Sequence, residues 1–85
     1  MYKIELRRIA QRSLDKLPSR DFKAVLETIK ALADSTRPKG VEKIKSAGLW
    51  RAQRGDYRVV YSIDDQQRLV IIVRIGHRRE IYRSL

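Results

Sequence analysis

The sequence predicts an α+β domain in which a helical hairpin packs on one face of a mostly antiparallel four-stranded sheet, in the order β-α-α-β-β-β. Apolar and charged residues alternate at the N-terminus. A stripe of apolar residues at helical spacing follows. After Gly48 the two-residue alternation returns, broken by turn residues.

Tyr2, Ile4 and Leu6 alternate with Lys3, Glu5 and Arg7, the pattern of a half-buried strand. From Arg8 the period lengthens. Ala10, Leu14 and Leu17 share a helix face, and Pro18 ends that helix. Ser19 is placed to cap a second helix, with Asp21 in its first turn where a carboxylate complements the dipole. Phe22, Val25, Leu26, Ile29, Leu32 and Ala33 form its apolar stripe, which ends near Asp34-Ser35. So short a turn between the helices predicts an antiparallel pair.

Residues 36–48 read as a basic connector with Pro38, Gly40 and Gly48, which Val41 and Ile44 could anchor to the core. Leu49 to Arg54 is the next strand. Gly55-Asp56 suits a tight type II′ hairpin. Tyr57, Val59, Tyr61 and Ile63 alternate along its partner. Asp64 to Gln67 is a polar turn. Leu69 to Ile75, dense in Val and Ile, reads as the most buried and central strand. Residues 1–85 form one domain without repeats or low-complexity segments.

Charge narrows the function. Twenty Lys and Arg stand against ten Asp and Glu, a net charge of +10. Residues 1–36 hold eight basic and five acidic groups, and residues 37–85 hold twelve and five. Basic charge concentrated in half of a folded domain points to a polyanion, with phosphate contacts that weaken as salt rises. No cysteine is present, so disulfides and thiolate metal sites are excluded, and one histidine, His77, excludes an all-histidine site. No cofactor or metal is expected. No stretch reads as a signal peptide, a membrane span or a lysine-rich amphipathic helix. The chain is expected to be soluble and cytoplasmic, with no membrane partner.

Strand alternation sorts the basic residues. Arg51 and Gln53 share one face of their strand, and Trp50, Ala52 and Arg54 the other. Arg58, Val60 and Ser62 face away from the more apolar Tyr57, Val59, Tyr61 and Ile63. Arg58 is therefore expected on the open face, joined by Arg51 if the pairing register agrees. Arg78 and Arg79 follow closely enough to reach the same groove, and Lys43 and Lys45 could line its rim. Guanidinium groups suit phosphate because the planar fork makes paired, charge-assisted hydrogen bonds.

The run Leu49-Trp50-Arg51-Ala52-Gln53-Arg54-Gly55-Asp56-Tyr57-Arg58-Val59-Val60-Tyr61 resembles the central hairpin of the RelE/ParE toxin superfamily. The tail Ile75-Gly76-His77-Arg78-Arg79-Glu80-Ile81-Tyr82-Arg83 resembles the C-terminal signature of its RelE branch. With the element order, the likeness covers nearly the whole chain. It implies a toxin of a type II toxin–antitoxin pair that cleaves mRNA in the ribosomal A site without a metal. The RNA's own 2′-OH would attack the adjacent phosphate. A cognate antitoxin encoded next door is implied as partner, with the ribosome and mRNA. By this resemblance Arg58 matches the hairpin arginine, Arg78 the C-terminal arginine and Tyr82 the catalytic tyrosine. Arg51 falls where the best-known members have a lysine. A second hairpin lysine has no clear equivalent: Gln53 occupies its slot, with Arg54 the alternative if the strand is bulged.

The chemistry of in-line attack asks for a proton acceptor, positive charge on the transition state and a proton for the departing 5′-oxygen. Arg58 and Arg78 suit the second task, each such contact typically worth about 3–4 kcal/mol. Tyr82 suits proton acceptance or orientation of the 2′-OH. His77 could relay a proton or stack on a base. Two alternatives stay open at this point: a ParE-like toxin that binds gyrase and cuts no RNA, and a basic RNA-binding module without catalysis.

Overall fold

The computed structural model of the chain describes residues 1–45 and 47–81. Strand β1 (Lys3–Leu6) leads into helices α1 (Arg8–Asp15) and α2 (Ser19–Ala31). Strands β2 (Glu42–Ile44), β3 (Leu49–Arg54), β4 (Tyr57–Asp64) and β5 (Leu69–His77) follow. The sheet has five strands in the order β1-β5-β4-β3-β2, antiparallel except where β1 runs parallel to β5.

The element order is as the pattern predicts, with three corrections. The connector contains β2, a three-residue edge strand that makes the sheet five-stranded rather than four-stranded. Strand β4, not β5, is the middle of the sheet, although β5 is paired on both sides. Pro18, not Ser19, is the N-cap of α2. Its extended backbone (φ −54°, ψ 151°) turns the chain, and its carbonyl accepts the Phe22 amide at 2.8 Å. Proline's fixed φ and missing N–H cost nothing where the helical ladder has not begun.

Both helices cover one face of the sheet. The core between them comprises Ala10 and Leu14 from α1, Val25 and Ile29 from α2, Leu32, and sheet residues Ala52, Val59, Tyr61, Val70, Ile72 and Ile75. Tyr61 is fully buried, and its hydroxyl donates to the Thr36 carbonyl at 2.7 Å, tying the connector to β4. Burial pushes the Tyr61 phenol up to about 12. The connector is held a second time by Arg37, which pairs with Asp65 at 2.9 Å and lies 5.2 Å from the centre of the Trp50 ring.

One irregularity governs the functional side. Val60 pairs with Arg74 while its neighbour Tyr61 pairs with Ile72, so Val73 is an unpaired extra residue, a β-bulge. Side chains alternate along a strand, so one surplus residue exchanges the faces beyond it. Val70 and Ile72 enter the core before the bulge, and Ile75 enters it after. Arg74 and Gly76 are thereby turned to the open face, and His77 to the helix-covered one.

Candidate functional site

Cross-strand register assembles the open face in two rows. Glu42, Arg51, Val60 and Arg74 stand side by side across β2, β3, β4 and β5. Gln53, Arg58 and Gly76 form the next row toward the hairpin end. Beyond β5 the chain turns, and Arg78 and Arg79 close the end of the depression. Gly40, Glu42, Arg51, Gln53, Arg58, Arg78 and Arg79 together line one pocket of about 350 Å³.

Three of these arginines are held by the scaffold. The Arg58 Nη1 donates to the Gly55 and Tyr57 carbonyls, both at 3.0 Å, which fixes the guanidinium over the hairpin tip. Gly55 has φ +58°, the left-handed geometry a type II′ turn needs at its first central position. Asp56 holds Arg78 twice: its carbonyl accepts the Arg78 amide at 2.7 Å, and its carboxylate lies 3.5 Å from Arg78 Nε. Arg51 pairs with Glu42 across β2 and β3. Four guanidinium groups from β3, β4 and the C-terminal turn thus meet one acid, Glu42, among the lining residues. The surplus of positive charge in a concave, partly screened site favours an anion.

The structure brings together Arg51, Gln53, Arg58, Arg78 and Arg79. It places Lys43, Lys45, Arg54 and His77 apart from them. Lys43 stands opposite Trp50 in the register and shares its face, with Nζ 5.7 Å from the ring centre. Lys45 is exposed in the turn after β2 and is not among the lining residues. Arg54 lies on the helix-covered face, paired with Glu27 of α2 at 3.2 Å. The strand is not bulged where Arg54 would need it. His77 is on that face too, its ring edge-on to Tyr57 at 5.9 Å. Tyr82 lies outside the described residues.

Glu42 and Gly40 are the lining residues that sequence reasoning missed. A three-residue strand carries too little alternation to show that Glu42 faces Arg51. Their only signal was their place before a strand already known to carry Arg51. Among the described residues, no group of three or more His, Cys, Asp or Glu could hold a metal ion. No helix among them is long and apolar enough to cross a membrane.

This fold is shared by known proteins. The family model described as the ParE toxin of the type II toxin–antitoxin system, parDE, matches residues 4–82. The chain belongs to the RelE/ParE toxin superfamily. It is thus a toxin of a type II toxin–antitoxin system. Toxin RelG of Mycobacterium tuberculosis is 42% identical over 86 residues, covering 96% of this toxin and 97% of the relative. Toxin RelE of the same organism is 36% identical over 84 residues, covering 96% and 87%. Among solved structures, the toxin resembles a chain of the RelBE2 toxin–antitoxin complex of M. tuberculosis, with TM-score 0.80 and 34% identity over 89% of this chain and 96% of that one. It also resembles a chain of the archaeal RelE–RelB complex of Pyrococcus horikoshii, with TM-score 0.82 and 27% identity over 93% and 97%.

Proposed function

We propose that this toxin is an endoribonuclease that cleaves mRNA, presented in the ribosomal A site, by attack of the substrate's 2′-OH on the adjacent phosphate. The observation that carries this reading is the pocket where Arg51, Arg58, Arg78 and Arg79 converge on one small volume. Guanidinium stays charged at any working pH and matches the oxygens of a phosphorane-like transition state. Arg58 and Arg78 hold the scissile phosphate, because the backbone contacts of the hairpin tip pre-set both. Arg51 and Arg79 hold flanking phosphates, and Gln53 meets a sugar or base edge.

Proton transfer falls to two groups. Glu42 is the carboxylate in the pocket, and a carboxylate can accept the 2′-OH proton. Tyr82 follows Ile81, a buried residue whose side chain packs against Gly76 on the pocket face, and serves as a second proton-transfer or orienting group. The 350 Å³ pocket admits a nucleotide or two rather than a long duplex. A surface this small selects bare RNA poorly, which supports presentation by the ribosome, in the cytoplasm.

A cognate antitoxin completes the proposal, supported by toxin–antitoxin complexes among the structural relatives. An acidic or amphipathic antitoxin segment would cover the arginine pocket or displace the C-terminal turn.

The decisive experiment is cleavage of translated mRNA with EDTA present. The expected product carries a 5′-OH and a cyclic or 3′-phosphate. Undiminished cleavage by an Arg58→Ala/Arg78→Ala double variant would overturn the assigned roles. The family description names ParE, so gyrase poisoning with intact mRNA is the competing outcome. Salt-sensitive RNA binding with no scission would mark a non-catalytic binding module.

A further inference from the structure

His77 ends β5 on the face opposite the pocket, yet it is hydrogen-bonded to the backbone of a pocket arginine, Arg79. Its Nδ1 accepts the Arg79 amide at 3.2 Å. Its carbonyl accepts the Glu80 amide at 2.9 Å. The Arg78 amide is taken by the Asp56 carbonyl at 2.7 Å. Three successive amides of the turn are therefore satisfied, two of them by His77. The ring lies in a recess with Arg20 and Asp21 of α2, Arg54 of β3, and Asp56 and Tyr57 of the hairpin. It packs edge-on against Tyr57.

We propose that His77 is a positioning residue: its imidazole Nδ1, working from behind the sheet, fixes the turn that aims Arg78 and Arg79 at RNA phosphate. The bond needs a lone pair on Nδ1, so the proton of the neutral ring sits on Nε2. The ring neither touches RNA nor moves the reaction's protons. A turn whose amides are already paired loses little freedom when phosphate arrives, which tightens binding without any new contact.

Two substitutions separate the parts of this side chain. His77→Asn keeps an acceptor that reaches the amide two residues on, as asparagine does in turns, and removes the ring. His77→Phe keeps a ring against Tyr57 and removes the acceptor. Hydrogen exchange of the Arg79 amide in the full-length toxin reads the tether directly. Binding of a 2′-deoxy single-stranded oligonucleotide and the cleavage rate at saturating RNA read its consequence.

In His77→Phe, Arg79 exchange is expected to speed up about tenfold and RNA affinity to fall about fivefold, the scale of one neutral hydrogen bond. The saturating cleavage rate is expected to hold within about threefold, because no reacting group has changed. His77→Asn is expected to stay near wild type on all three readouts. A saturating rate that collapses in both variants while binding holds would make His77 a proton-transfer group and overturn the proposal. Unchanged Arg79 exchange in His77→Phe would overturn it as well. The exchange readout does not depend on catalysis. The RNA readouts rest on the ribonuclease reading, so a wild type that cleaves no RNA defeats that reading and leaves the tether to be judged by exchange.

Discussion

Gly76 stands opposite Arg58 across β4 and β5, and Ile81 occupies the space a side chain at position 76 would take. A Cβ there would lie 3.0 Å from Ile81 Cδ1. Ile81 is 5% exposed and packs on the open face, apart from the cluster under the helices. The glycine thus lets the C-terminal turn fold flat beside Arg58. The tight contact of Gly76→Ala is with the end of the Ile81 side chain, and the change is expected to cost about 1 kcal/mol or less. Gly76→Val is expected to cost about 1–3 kcal/mol and to weaken cleavage by lifting the turn. Urea denaturation and single-turnover cleavage check both.

The pocket arginines should matter for RNA far more than for folding. Arg58→Ala and Arg78→Ala are each expected to slow cleavage by about 10²–10³. Stability should change by less than about 1 kcal/mol, because Arg78 is an exposed side chain and the Arg58 contacts are to turn carbonyls. If four arginines each meet a phosphate, log affinity should fall against log salt with a slope of about −3, and each removal should reduce it by about 0.7. Titration at several salt concentrations measures this.

Glu42 pulls in two directions. In the proposed reaction it would accept the 2′-OH proton, and it also neutralises Arg51 across β2 and β3. Glu42→Gln is therefore expected to tighten RNA binding a few-fold, by removing a negative charge from a phosphate site. The same change should slow the chemical step by about 10²–10⁴, the usual scale of general-base catalysis. Affinity and single-turnover rate should move in opposite senses. A parallel loss of both would remove Glu42 from the reaction.

Tyr61 sets an alkaline limit on the fold. Its phenol is raised from 10.0 to about 12 by burial, so the folded state keeps a proton that the unfolded chain gives up. The contribution is complete below pH 10 and is lost as pH rises toward 12. Tyr61→Phe removes this titration and the bond to the Thr36 carbonyl. It should lower stability at neutral pH by about 1–2 kcal/mol and flatten the decline above pH 10. Denaturation midpoints across the alkaline range test the sign.

The sequence carried the helices and the three long strands because each has enough residues to display its period. Ala10 to Leu17 and Phe22 to Ala33 repeat at helical spacing, and Tyr57 to Ile63 at two. The same alternation sent Arg51, Gln53 and Arg58 to one face, and their register unites them. Two features were hidden for physical reasons. Glu42-Lys43-Ile44 is too short to show a period, so Glu42 went unnoticed, and Lys43, expected at the groove's rim, lies with Trp50. Leu69 to Ile75 is apolar at nearly every position, so either phase fits it and the bulge at Val73 leaves no trace. That is why His77 was expected beside the RNA. Arg54 faces α2, the side that unbroken alternation in β3 gives it. The extra residue lies in β5 instead.

The bulge also makes the end of β5 sensitive to count rather than to chemistry. Deleting Val73 would join Ile72 to Arg74 and make the pairing with β4 regular, leaving Ile75 in the core and Arg74 and Gly76 on the open face. An extra residue between Arg74 and Ile75 would instead turn Ile75 out to solvent and Gly76 away from Ile81. The strand should therefore tolerate the loss of Val73 and reject a single addition after Arg74.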